Sequence, residues 1–457
     1  MASEGTGTPA AGDGGAAAPA APAPPDLRAV LLSRRYLRLL LVCGLLGVPI
    51  ALACFFFVSF QHQLQHWVWE SLPEAVGYDR APWWWPLPAL LLAGLILAPI
   101  VTRVPGGGGH VPVHGLVGGR PLGPKELPGV VLAALSTLPL GVVLGPEAPL
   151  MALGSGLALL VVHFARRAQE PKASLMLATA GSTAAISTIL GGPVVAAVMV
   201  VEAAGFGGPQ LVAVLLPCLV ASGAGALVFT GFGDWTGLSI GALALPHVPP
   251  NVKPDAGDFL WGIPVAALVA LVVAGAHRLG YGTETWTQRH KALRTVAVAV
   301  AVGVCLSAYA VITGRNPQEA ALSGQAALAQ LAADPQSWSV GALVALVACK
   351  GLAWGISLGA LRGGPIFPSV LLGGAGAMAF SGLAGLGPTP ALALGITAAA
   401  AVVTRLPLTS AVLTTLLLGG DAYDQAPLIV ISAVVATVVG QLVNPSEPKP
   451  RPEAGKP

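Results

Sequence analysis

Charge is what this sequence has least of. Asp, Glu, Lys and Arg make up 9% of its 457 residues, against roughly 25% in soluble domains. So few charges cannot cover a water-facing surface, which excludes an ordinary cytosolic enzyme. With 54% hydrophobic residues and a mean hydropathy of +0.77, the remaining class is a polytopic membrane protein. Cysteine is also scarce. Cys43, Cys54, Cys218, Cys305 and Cys349 all sit in apolar runs and none forms a CxxC pair, so a metal cluster or a disulfide framework is not expected. They read as small buried hydrophobes. The net charge of +3 comes without the basic cluster a nucleic-acid partner would need. The N-terminus lacks the basic start and apolar centre of a signal peptide. Glycine (59) and proline (41) are abundant instead, which suits broken helices and close helix contacts.

Residues 1–27 are Ala/Pro/Gly/Ser/Thr-rich and read as a disordered tail. The Pro-rich stretch 445–457 reads the same way, leaving 28–444 as the membrane region. Its first span runs from about Tyr36 to Phe60, behind Arg34, Arg35 and Arg38, which places the N-terminus in the cytoplasm. Further apolar segments lie at 86–102, 127–144, 148–165, 173–190, 193–204, 209–231, 258–279, 293–313, 340–361, 367–386, 388–403, 407–419 and 426–443. A full span needs about 20 residues. Several of these are shorter and bounded by Gly-Pro or Gly-Gly, so half-helices are expected. Trp83, Trp84 and Trp85 read as an interfacial anchor. Residues 281–291 read as a polar loop dividing the chain.

Two patterns occur twice. G-P-x-x-P with a later Gly appears as Gly145-Pro146-Glu147-Ala148-Pro149…Gly154 and returns 219 residues on as Gly364-Pro365-Ile366-Phe367-Pro368…Gly373. G-x-T-A-A with a Pro twelve residues after the Gly appears at Gly181, Thr183 and Pro193, and returns 214 residues on at Gly395, Thr397 and Pro407. Matching order and similar offsets indicate duplicated halves, about 86–231 and 293–443. Duplicated membrane halves with broken helices hold a ligand where helix N-termini meet. Those N-termini offer unpaired N–H groups and a positive dipole end, which favour an anion.

An ionisable residue inside an apolar segment is costly, so each one demands a reason. Glu147 lies at the first Gly-Pro break. One reading is a carboxylate that only satisfies helix-end donors. The other is a tethered carboxylate that occupies an anion site when ionised and leaves when protonated, as a gate and proton carrier. Glu202 is either a surface helix end or a second proton site. Lys350 reads as a structural partner for a carbonyl or carboxylate, and Arg405 as structural. His110 and His114 flank a glycine loop and could sense pH. The run Gly106–Gly109 lacks the Lys-Ser/Thr ending of a phosphate loop, so no nucleotide cofactor is expected. Its amides suit an ion-coordinating loop.

These motifs resemble the CLC family of chloride channels and proton/chloride exchangers. Gly145-Pro146-Glu147-Ala148-Pro149 is similar to its G-K/R-E-G-P motif, and Gly363-Gly364-Pro365-Ile366-Phe367-Pro368 to its G-G-x-F-x-P motif. Gly107-Gly108-Gly109-His110-Val111 is similar to G-S-G-I-P, and the spans at Pro193 and Thr404–Thr409 also fit. The resemblance covers about 85–443. It implies an all-α, inverted-repeat fold with tilted and broken helices, and a homodimer in the cell membrane with one anion pathway per subunit. It implies gating by Glu147, proton transfer involving Glu202, and anion binding at Gly107, Gly108, Gly109, Ile366 and Phe367. Chloride is the expected anion, with fluoride or nitrate as alternatives, moved by proton exchange or passive conduction. Gly108 stands where the family has a serine, Pro365 where it offers an N–H, and Ala203 where exchangers carry a glutamate. No tyrosine follows Val443. An intramembrane hydrolase built on Gly154-Ser155-Gly156 is the reading from another class, and no histidine is well placed to serve it.

Overall fold

The computed structural model describes residues 27–116, 122–164, 171–190, 192–204, 208–236, 245, 248 and 253–443. The two expected tails lie outside them, except that Leu27 opens the first helix. The chain forms α1 (Leu27–Leu31), α2 (Arg34–His66), α3 (Leu72–Ala75), α4 (Pro86–Arg103), α5 (Leu127–Thr137), α6 (Glu147–Phe164), α7 (Pro171–Ser187), α8 (Pro193–Ala204) and α9 (Gly208–Thr236). It continues with α10 (Ala256–Gln288), α11 (Lys291–Thr313), α12 (Gln325–Ala333), α13 (Val340–Ala360), α14 (Ile366–Met378), α15 (Pro388–Thr404), α16 (Pro407–Leu418) and α17 (Ala422–Val443). Among the described residues the β-structure is one isolated bridge.

Among those residues, eight helices are long and apolar enough to cross a membrane: α2 with its continuation to Ala75, α4, α6, α9, α10, α11, α13 and α17. The 13 residues of α14 extend only about 20 Å, short of a hydrocarbon core of about 30 Å. The half-helices of the sequence reading are therefore present. Pro193, Pro388 and Pro407 each open a helix, since a first-turn proline removes no helical hydrogen bond.

Three expectations need correction. The segment expected at 127–144 is helical only to Thr137. Pro139 follows, and Gly141 takes a left-handed φ of 105°, so the helix cannot continue. The polar loop expected at 281–291 is mostly the last turns of α10, and only Arg289 and His290 separate that helix from α11. The Ala-rich α12 was not anticipated from the hydropathy pattern.

The repeated glycines are crossing points. A Cβ on Gly154 would overlap the carbonyl of Gly181, where α6 meets α7. A Cβ on Gly373 would overlap the carbonyl of Gly395, where α14 meets α15. The same contact thus recurs in both halves, and small residues permit it because backbones can touch. Gly373→Leu must force two backbones apart, an overpacking cost of about 1–3 kcal/mol or more. Its melting temperature in detergent should drop clearly. Gly223→Leu should melt like the wild type, because a Cβ at Gly223 meets nothing within 4 Å.

The contacts also fix sidedness. On α4 and α11, Gly94 packs on Val296 and Ala299 while Gly303 packs on Pro86 and Leu87, so these helices are antiparallel. Arg80, in the turn between α3 and α4, donates to the carbonyl of Gly314, which caps α11. The start of α2, the end of α4 and the α10–α11 turn therefore share one face, carrying Arg34, Arg35, Arg38, Arg103, Arg289, Lys291 and Arg294. The opposite face carries Arg80 and Arg315 among Glu70, Glu74, Asp79 and Glu319. The positive-inside rule makes the first face cytoplasmic, in agreement with the expected N-terminus.

Candidate functional site at the junction of the two repeats

The repeat-equivalent residues Gly145 and Gly364 meet each other. Gly145 N–H donates to Gly364 O at 2.8 Å, and Gly364 N–H donates to Gly145 O at 2.5 Å. An antiparallel pair of equivalent residues is what a local two-fold between the halves requires. The bridge holds together the two turns that launch α6 and α14.

Glu147 is the first residue of α6 and is 0% exposed. Its side chain crosses to the other repeat, where Oε1 accepts from the N–H of Phe367 at 2.7 Å. Phe367 is in the first turn of α14, whose N–H groups have no helical acceptor of their own. The positive end of that helix, which favours an anion, therefore faces the Glu147 carboxyl group. Oε2 is buried with no hydrogen-bond partner, and no ion pair to Glu147 is present among the described residues. A Cβ on either Gly145 or Gly364 would overlap this carboxylate, which gives both glycines a steric reason. Pro365, whose ring removes one N–H, is the N-cap of α14. The amide that takes the carboxylate lies two residues further on, so this departure from the motif leaves the contact intact.

Ile366, at the first helical position of α14, lines a cavity of about 10 Å³ with Met199, Thr404 and Leu406. That is near the minimum for one water molecule. The cavity sits where the start of α14, α8 and the α15–α16 turn come together.

Gly107, Gly108 and Gly109 have φ of 56°, 76° and 102°, in a loop where Gly106 is also left-handed. A Cβ on Gly108 would fall 2.8 Å from the Ala133 Cβ. A serine is thus excluded here by both backbone and space, the physical counterpart of the missing hydroxyl. No hydrogen bond joins these glycines to Glu147. They are tied instead to Arg362, whose Nε donates to Gly107 O at 3.0 Å. Thr137 Oγ1 donates to Arg362 O at 2.8 Å. Arg362 was missed in the sequence, although a charged residue next to Gly363-Gly364 in an apolar region was a signal.

Glu202 lies on α8, away from that junction. Its Oε1 accepts from Leu408 N at 2.8 Å, and its Oε2 accepts from Thr409 N and Thr409 Oγ1, both at 2.7 Å. It caps the N-terminus of α16, so the two bold candidates perform related tasks, each holding a carboxylate against the start of a helix in the second repeat. Glu202→Ala should cost about 1 kcal/mol, read as a modest drop in melting temperature.

Lys350 is 0% exposed on α13. Its Nζ donates to the carbonyls of Ala320, Ala321 and Leu322 at 2.8, 3.0 and 3.2 Å, the structural role expected. Arg405 takes a left-handed φ of 58° as the C-cap of α15. His114 meets Glu284 at 3.0 Å, and His110 is exposed. The Ser155 hydroxyl donates to Ala152 O within its own helix, a packing role with no nucleophile chemistry in it.

The family profile of voltage-gated chloride channels matches residues 106–441, a region that contains this junction. The chain belongs to that family. CLC-type members move anions across membranes, and with eight helices among its described residues long and apolar enough to cross one, this chain is a multi-pass membrane protein. It is 29% identical over 167 residues to YfeO of Salmonella paratyphi A, a protein named for ion transport, covering 36% of this chain and 40% of that one. The match thus spans less than half of that relative's length. YfeO of Escherichia coli O1:K1 / APEC is 27% identical over 349 residues, 75% of this chain and 78% of that one. Among solved structures, a slow cyanobacterial Cl-/H+ antiporter superposes with TM-score 0.74 at 17% identity, over 89% of this chain and 95% of that chain. A CLC-type fluoride/proton antiporter superposes with TM-score 0.63 at 18% identity, over 88% and 95%. These likenesses establish the CLC transporter fold.

Proposed function

We propose that this CLC-type protein exchanges a small inorganic anion, chloride first, for protons, with the Glu147 carboxylate as the gate. The observation that carries the reading is the buried Glu147 Oε1 held by the Phe367 amide at 2.7 Å. An ionised side chain there competes with a permeant anion for the same helix-end donor. A protonated one is a poorer acceptor and can swing away, carrying its proton. Ile366 and Phe367 supply the anion site, and the Gly107–Gly109 loop borders the path. The small cavity lined by Ile366 and Leu406 also touches Met199 of α8, the helix that carries Glu202, the candidate proton entry. The fold neighbours named for proton antiport support exchange, and one named for fluoride keeps fluoride among the candidate anions. The protein acts as a homodimer, on the strength of family resemblance.

Reconstituted protein should move chloride, nitrate or fluoride in liposomes, measured by ion-selective electrode. Across a pH gradient its reversal potential should depart from that of the anion alone. No departure would mean passive conduction. The commitment of Glu202 to the α16 cap, with Ala203 beside it, is the observation that favours that second outcome.

A further inference from the structure

A wide cavity among the described residues lies away from the repeat junction. It is an apolar groove of about 650 Å³ between α10 and α13, floored by Leu372 and Gly376 of α14 and by Phe380 in the turn that follows it. A second cavity of about 350 Å³ continues it toward the cytoplasmic face, with Leu279 in both. On α10 the lining residues step from Leu268 through Gly275 and Gly282 to Trp286. That is about 27 Å along the axis, close to the full hydrocarbon thickness. The seam opens where side chains are missing, since a Cβ at Gly275 or Gly282 would meet nothing within 4 Å.

The cytoplasmic end of the seam is basic. Trp286, 46% exposed, lines the second cavity. The Arg294 guanidinium stacks on its ring at 4.6 Å from the centroid. Arg289 and Lys291 are exposed in the adjoining turn. The neighbouring carboxylate, Glu284, is engaged by His114. A long apolar channel ending in an aromatic ring and three cations at the membrane surface matches one chemistry, that of two acyl chains under a negative headgroup.

We propose that the α10–α13 seam binds an anionic diacyl phospholipid, with acyl chain in the groove and phosphate at Arg289, Lys291 and Arg294. The bound chain lies against α14, the helix whose first turn holds Glu147. The site stands independently of the transport reading, because the test reads lipid and not flux.

Delipidated protein would be titrated with phosphatidylglycerol or phosphatidylcholine and its adducts counted by native mass spectrometry. Wild type should hold phosphatidylglycerol about tenfold more tightly, given the contribution of each basic residue near the surface. The Arg289→Gln/Lys291→Gln/Arg294→Gln variant should bind the two lipids equally. Gly275→Leu/Gly282→Leu should lose both by about tenfold, the loss expected when apolar surface is denied to the chain. Equal binding of the two lipids by wild type overturns the proposal. So does unchanged phosphatidylglycerol binding in both variants. If the leucine variant dissociates a dimer and keeps its lipid, the occupant is a second copy, which also overturns it. Should a variant fail to fold, a phosphatidylglycerol with a photoreactive acyl chain serves on wild type. Crosslinks on α10 and α13 support the site, and crosslinks elsewhere refute it.

Discussion

Glu147→Gln protein in liposomes should move its anion at a rate independent of pH, with a reversal potential set by the anion gradient alone. In the wild type, the Phe367 amide binds an ionised carboxylate better than a protonated one, so protonation weakens the contact that seats the side chain. Falling pH should therefore open the gate and raise flux. A single titrating carboxylate changes the abundance of its minor form by about tenfold per pH unit. The amide of glutamine has similar size and no proton to exchange, so the variant should stay permanently in the released state. The loss of proton coupling should be complete, while folding is preserved because the substitution keeps the side chain's size and introduces no buried charge. A Glu147→Gln protein with wild-type pH dependence would remove Glu147 from the mechanism.

The second large effect is on stability. Lys350→Met should leave three buried carbonyls without their donor, at about 1–3 kcal/mol for each acceptor. An ammonium has three N–H groups and three oxygens converge on Nζ, so each acceptor has a donor. Leu322, one of the three, has a left-handed φ of 61°. Its N–H donates to Gly141 O at 3.4 Å, in the segment that leads into α6. Losing the clamp should loosen the approach to Glu147 as well as the turn itself. Lys350→Arg should rescue only partly, because a planar fork does not suit three converging oxygens. Folded yield and melting temperature in detergent read the effect, and a melting point within about 2 °C of wild type would refute it.

The membrane class and the repeat were legible in the sequence for simple reasons. Hydropathy is a sum over residues, and duplicated glycines and prolines keep their spacing through a duplication. Gly154 and Gly373 were visible as motif members, but their use as helix crossings was not. The end of α10 was misread because polar residues on a helix that leaves the membrane look like a loop. Arg362 was passed over because its worth lies in reaching Gly107, 255 residues earlier in the chain.

By itself the sequence determined that this is a broken-helix membrane protein in two related halves, with Glu147 as the charge that most needs explaining. Composition, periodicity and spacing are local properties, and they survive without coordinates. Only the tertiary structure decided what Glu147 and Glu202 touch. Each carboxylate binds the start of a helix over 200 residues away in the chain. A helix N-terminus becomes a partner only when folding brings its unpaired N–H groups within 3 Å of an acceptor.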